Sequence, residues 1–219
     1  MPSATCSVIA IYEQWNINEL TKKMRVVLIG GSSHVGKSTL SRLLAAKLDC
    51  SCLATDSLAR HPGRPWLTKN NQVIKENVVG HYRTLSVEDL LTDVLCHYQT
   101  NVIPQIETIA NYHRLERSTD CIIIEGSALW PGFVTNLVDH NSIQGIWLTA
   151  SDRCFATRIF SESNFYRVDE GKQYLIQKFL DRTLLYNRRI QEEVKRLGLI
   201  SINVESTATV DSTLILIDL

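Results

Sequence analysis

The chain has 219 residues, 44% of them hydrophobic, with 23 basic and 23 acidic side chains and a formal net charge of zero. That length suits one α/β domain with a full core, and the balanced charge gives no bulk attraction to nucleic acid or to an anionic membrane. No apolar run reaches the roughly 18–20 residues of a membrane span, and no basic stretch precedes the apolar "CSVIAIY", so a secretory signal is not expected.

Residues 1–24 show no clear periodicity and read as an N-terminal extension, with Met24 a second candidate start. Residues 25–29 are apolar and β-branched, as a buried parallel strand should be. A helix is expected from about Gly36 to Lys47, where Leu40, Leu43, Leu44 and Leu48 recur at helical spacing. Further strands are expected at "CSCLAT" (50–55), "CIIIEG" (121–126), "GIWLTA" (145–150) and "LISINV" (199–204). Helical patterns fill 86–98, 102–117, 152–161 and 172–197, and Ser86 with Asp89 resembles a capping box. Alternation of strands and helices implies a parallel sheet with right-handed crossovers. There is no internal repeat and no Pro/Gly/Ser-rich linker. Residues 25–219 therefore read as one domain, with a helical insertion over 57–118 between the second and third strands. Of the six cysteines, none forms a C-x-x-C pair and several sit in apolar runs. They read as buried free thiols, which points to a reducing cytosol.

The loop from Gly31 to Ser38, with Ser32, Ser33, His34, Val35, Gly36 and Lys37 between, fits G-x-x-x-x-G-K-[ST] without a mismatch. Small residues let the backbone curl so that several N–H groups, with the N-terminus of the following helix at Thr39, surround a phosphate. Lys37 supplies a positive charge for the β- and γ-phosphates, and the Ser38 hydroxyl suits Mg²⁺. The setting between strand and helix supports a nucleoside triphosphate site, with ATP and GTP both open.

The acceptor of the phosphate is then the question. Asp56 follows the second strand, at the carboxyl end where open α/β sheets bind ligands. A carboxylate there can orient an acceptor hydroxyl toward the γ-phosphate; capping a following helix is the other reading, with Ser57 competing for it. Arg60 and Arg64 flank a Pro-Gly turn nearby and suit a polar or anionic substrate, or are ordinary loop arginines. His61 reads as a loop residue. Glu125 ends the third strand and suits the Mg²⁺ shell, since a buried acid without a partner is costly. Trp130 is a candidate lining of the acceptor pocket, or plain core. After the fourth strand come Arg153, Arg158 and Arg167, and later Arg182, Arg188 and Arg189. At least one is expected to close over the phosphates. The polar break "SESNFYRVDEG" (161–171) makes 152–170 a lid region, mobile without ligand.

Taken together, "GGSSHVGKS", "TDS", "IIIEGS" and the arginine-bearing segment after "WLTAS" resemble the P-loop small-molecule kinases, the superfamily of nucleoside, nucleoside-monophosphate, shikimate, gluconate and uridine kinases, over about residues 25–205. The resemblance implies a three-layer αβα fold with a five-stranded parallel sheet in order 2-3-1-4-5. It implies that Lys37 and Ser38 serve ATP and Mg²⁺, that Asp56 is the base or hydroxyl-orienting group, and that Arg158 or Arg167 is the lid arginine. The segment 203–211 falls where such kinases often hold adenine. Uridine-kinase-like and 2-phosphoglycerate-kinase-like chemistry both fit. Glu125 stands where an aspartate is commoner in the family. The reading is an ATP- and Mg²⁺-dependent transfer to a hydroxyl of a small molecule, without nucleic-acid or membrane partners. A regulatory GTPase would need N-K-x-D and a D-x-x-G after the third strand, and neither is there. A non-catalytic nucleotide-binding module or a plain ATPase is the remaining alternative; the former would keep the loop and lose Asp56 or the lid arginines.

Overall fold

A computed structural model describes residues 24–59, 61, 63–66, 76–115, 121–139 and 141–205. The expected N-terminal extension, Arg60 and most of the segment 203–211 lie outside the described residues.

The first strand, β1 (Val26–Gly31), is buried at all six positions because it has a neighbour on each side and a helix layer on each face. After it come α1 (Lys37–Leu48), β2 (Ser51–Ala54) and a single 3₁₀ turn at Thr55–Ser57. The insertion contains α2 (Glu76–Thr84), α3 (Val87–Asn101) and α4 (Ile103–Leu115). Then follow β3 (Ile122–Glu125), the short α5 (Pro131–Val134), β4 (Ile143–Thr149) and α6 (Asp152–Ser163). A 3₁₀ turn at Phe165–Arg167 leads into the 28-residue α7 (Glu170–Leu197) and β5 (Ile200–Asn203).

The strands form one sheet in the order β2-β3-β1-β4-β5, every neighbouring pair parallel. Strand alternation divides the core. Val27 and Ile29 face one cluster, with Leu40 and Leu44 of α1 and Phe155 and Ile159 of α6. Val26 and Leu28 face the other, with Leu91 and Val94 of α3 and Ile103 and Ile106 of α4. The result is the three-layer αβα fold with the expected strand order.

Three local expectations change. The helix α2 was not anticipated; its buried Val78 and Tyr82 are one turn apart, but Gly80 sits between them and few apolar positions mark the period. β4 begins two residues earlier than expected, since Ile143 and Gln144 continue the ladder with β1. Cys50 and Cys121 are not free thiols. Their Cα atoms are 5.0 Å apart and they are disulfide-bonded at the starts of β2 and β3. The premise of buried free thiols fails for this pair, and Cys52 and Cys96 are free but exposed. No helix among the described residues is long and apolar enough to cross a membrane.

Candidate active site

The glycine-rich loop leaves β1 at the carboxyl edge of the sheet and turns into α1. Gly36, the N-cap of α1, has φ +109°, a conformation that side chains rarely adopt. His34 holds φ 66° in the left-handed region without being glycine, a local cost that recurs at ligand-binding loops. The first turn of α1 has neither an acidic residue nor a side-chain cap. The positive end of the helix is thus open to an anion, although the Thr39 N–H is taken by the Gly36 carbonyl at 3.1 Å.

Lys37 is buried, and its Nζ donates to the carbonyl of Ser32 at 2.8 Å and to Ser127 Oγ at 3.2 Å. Burial lowers its pKa to about 8, against the opposing pull of Glu125 and Asp56. The adjacent Ser38 hydroxyl donates to Glu125 Oε1 at 2.7 Å. Register explains why the two acids and the loop converge. Ile29 of β1 pairs with Glu125 of β3, and Ala54 of β2 pairs with the same Glu125. The strand ends therefore deliver Glu125 and, two residues on, Asp56 to the loop.

Gly126 makes that convergence possible. A Cβ there would lie 1.7 Å from Thr55 Oγ1 and 2.7 Å from Thr55 Cβ. Gly126→Ala must push apart β3 and the turn that carries Asp56. We expect a loss of about 1–3 kcal/mol in urea unfolding, the usual cost of overpacking, with weaker nucleotide binding.

The loop, Asp56, Glu125, Arg64, Arg158 and Glu162 line one cleft of about 530 Å³. Arg158 Nη1 donates to the carbonyls of His34 and Val35, at 2.8 and 2.9 Å. Glu162, at the end of α6, joins two further segments. One of its oxygens takes the Nε2 hydrogen of His34 at 2.9 Å, and the other takes Arg64 Nη1. Trp66 packs on His34 and edge-on to Phe179, with ring centroids 5.8 and 4.8 Å away. One carboxylate thus joins the glycine-rich loop and the segment of Arg64 to the end of α6.

Burial, helped by the Arg64 charge, lowers the His34 pKa to about 4, although Glu162 pulls it the other way. The sign follows from linkage. The unfolded chain takes up this proton near pH 6.5 and the folded protein only near 4, so the associated stability is present above 6.5 and is lost as the pH falls toward 4. Between pH 7.5 and 5 the loss is about 2 kcal/mol. His34→Asn, which tolerates the left-handed backbone, should remove that part of the pH dependence. Urea unfolding at the two pH values checks it; equal slopes in both proteins would contradict it.

The other expected residues fall elsewhere. Arg167 is on the exposed turn after α6 and does not line the cleft. Trp130 is buried in the core, its ring 5.2 Å from that of Tyr186. Arg188 pairs with Asp152 and Arg189 with Glu192. Arg182 is buried beside the glycine-rich loop, lining a small hollow with Ser32, Ser127, Tyr98 and Tyr186. Its guanidinium carbon lies 4.8 and 5.6 Å from the rings of Phe179 and Tyr82. Arg182 Nη1 has no hydrogen-bond partner among the described residues. Sequence reasoning passed over Glu162, Ser127 and Trp66, whose roles come from contacts across 90 residues or more for the first two. Ser127, two residues past Glu125 at the end of an apolar strand, was the one with a usable signal.

No protein-family model matches the chain, and no curated protein matches its sequence. Solved structures do match. A gluconokinase from Sinorhizobium meliloti superposes with a TM-score of 0.52 at 15% identity, over 90% of this chain and 93% of that one. The likeness is to a P-loop small-molecule kinase, and it is one of fold. A deoxyadenosine kinase from M. mycoides follows at 0.49 and 15%, covering 89% of this chain and all of that one. A shikimate kinase from Acinetobacter baumannii gives 0.44 at 12%, over 91% and 94%.

Proposed function

We propose that the protein is a kinase that transfers the γ-phosphate of ATP to a hydroxyl of a small acceptor. The observation that carries this reading is a single cleft in which Lys37, the Ser38–Glu125 pair and Asp56 face a phosphate loop. The loop N–H groups and Lys37 bind the phosphates. Ser38 and Glu125 offer a hydroxyl and a carboxylate oxygen 2.7 Å apart, a hard-oxygen set that suits Mg²⁺. When bound there, Mg²⁺ neutralises phosphate charge. Asp56 accepts no hydrogen bond from the described residues and no described helix begins directly after its turn. It is therefore available to hold an acceptor hydroxyl. Arg158, tied to the loop backbone, brings positive charge to the transferring group, and closure by Glu162 excludes water that would otherwise hydrolyse ATP.

The acceptor reading rests on two arginines. Arg64 lines the cleft beside Asp56 and offers a guanidinium to an anionic group, and Arg182, in the adjoining hollow behind Ser127, adds positive charge nearby. We infer an acceptor that carries a carboxylate or phosphate beside its hydroxyl. A coupled ADP-release screen tests this, offering sugar acids, phosphorylated hydroxy acids, nucleosides and neutral sugars with ATP and Mg²⁺. Turnover with anionic acceptors is expected; ADP release at the same rate with water alone would mean an ATPase instead.

A further inference from the structure

Outside the phosphate loop, three histidines and an aspartate from separate parts of the chain meet. His61 lies in the loop after β2, His81 on α2, and Asp93 and His97 one turn apart on α3. His61 Nε2 is 3.1 Å from Asp93 Oδ2, and His81 Nε2 is 3.8 Å from the same oxygen. The ligand atoms of these three residues all lie within 4.8 Å of one another. The His61 ring centroid is 5.5 Å from that of His81 and 5.1 Å from that of His97. Both His61 and His81 side chains are nearly enclosed, at 11% and 12% exposure.

Hydrogen bonding alone leaves this cluster incomplete. A separation of 3.8 Å is too long for an N–H···O bond. The Nε2 atoms of His81 and of His97 are buried, and neither has a partner among the described residues. Buried ring nitrogens without partners are costly, and two in one cluster call for an explanation.

We propose that His61, His81 and Asp93 bind a zinc-type divalent transition ion, with water at the fourth position. Tetrahedral zinc with bonds of 2.0–2.1 Å keeps its ligand atoms about 3.4 Å apart; the two His–Asp93 separations of 3.1 and 3.8 Å lie on either side of that value, and the His61–His81 pair lies within 4.8 Å. Two imidazoles with one carboxylate favour a transition ion over Mg²⁺, which prefers oxygen. The ion acts structurally. It clamps the loop at His61 onto α2 and α3, and three residues on that loop presents Arg64 to Glu162.

The test uses the full chain, stripped of metal with a chelator and titrated with Co²⁺ and then Zn²⁺. One equivalent of Co²⁺ should produce the strong visible absorption of a tetrahedral site. Zn²⁺ should displace it and Mg²⁺ should not. His81→Ala and Asp93→Ala should each weaken Zn²⁺ binding at least 10-fold, while Lys37→Met leaves it unchanged. Because these variants remove packed side chains, a measurement on the unaltered chain stands beside them. Zn²⁺ should protect His61 and His81, but not His113, from acylation by diethyl pyrocarbonate, read by mass spectrometry. Absence of a stoichiometric Co²⁺ band, equal labelling with and without Zn²⁺, or folded variants that bind as the parent does would each overturn the proposal.

Discussion

Lys37→Met is expected to abolish measurable binding of Mg·ATP and, with it, phosphoryl transfer, while the protein remains folded. The buried ammonium reaches both the loop carbonyl of Ser32 and the Ser127 hydroxyl, and methionine fills similar volume without charge. Calorimetric titration of both proteins with Mg·ATP decides the matter; equal affinities would remove the phosphate-binding role. The same variant has a thermodynamic signature. The folded-state pKa of about 8 lies below the ordinary 10.5, so holding the charge in place costs stability below pH 8. From about pH 8 to 10.5 the folded protein releases this proton before the unfolded chain does, and stability rises. Between pH 7.5 and 9.5 the gain is about 2 kcal/mol, and Lys37→Met should lack it. The buried phenols of Tyr82, Tyr98 and Tyr186 are pushed up by burial and act the other way at still higher pH. The difference between parent and variant cancels their contribution.

Asp56→Asn is expected to reduce turnover on the true acceptor by ~10²–10⁴-fold, the scale of general acid–base help, with Mg·ATP affinity nearly unchanged. The carboxylate sits on the Thr55–Ser57 turn, fixed by Leu58 N–H donating to the Thr55 carbonyl at 3.0 Å, and lines the cleft across from Lys37. Asparagine keeps the shape and loses the ability to accept the acceptor proton. Steady-state rates on whichever acceptor the ADP-release screen returns provide the measurement. A variant that turns over at the parent rate would assign Asp56 to scaffold.

Much of this site was legible because its parts are close in sequence or sit at strand ends. The eight-residue loop carries its own signature, and Glu125 and Asp56 follow apolar runs that read as parallel strands. The fold class and strand order came from the resemblance those motifs support, and the sheet agrees with it. The Glu162 bridge was illegible for a physical reason. It depends on residues 34, 64 and 162 meeting in space, and nothing in local periodicity encodes which of several exposed carboxylates makes that contact. The same holds for His61, His81 and Asp93, whose spacing matches no compact metal motif. Arg182 stood among the candidate lid arginines, yet it is buried, because a long amphipathic helix can turn one basic residue inward onto aromatic faces.

That helix, α7, is about 42 Å long at 1.5 Å per residue, and it belongs to both halves of the core. Leu175, Ile176, Phe179 and Leu180 pack into the cluster on one face of the sheet, and Tyr186, Ile190 and Val194 into the cluster on the other. Between the two sets, the Thr183 carbonyl accepts the Ser32 hydroxyl of the glycine-rich loop at 3.0 Å. Neither layer can melt without tearing α7 from the other, so the two should unfold as one cooperative unit. The loop is fastened at the midpoint of that shared strut, where amide exchange should be governed by global unfolding and not by local fraying.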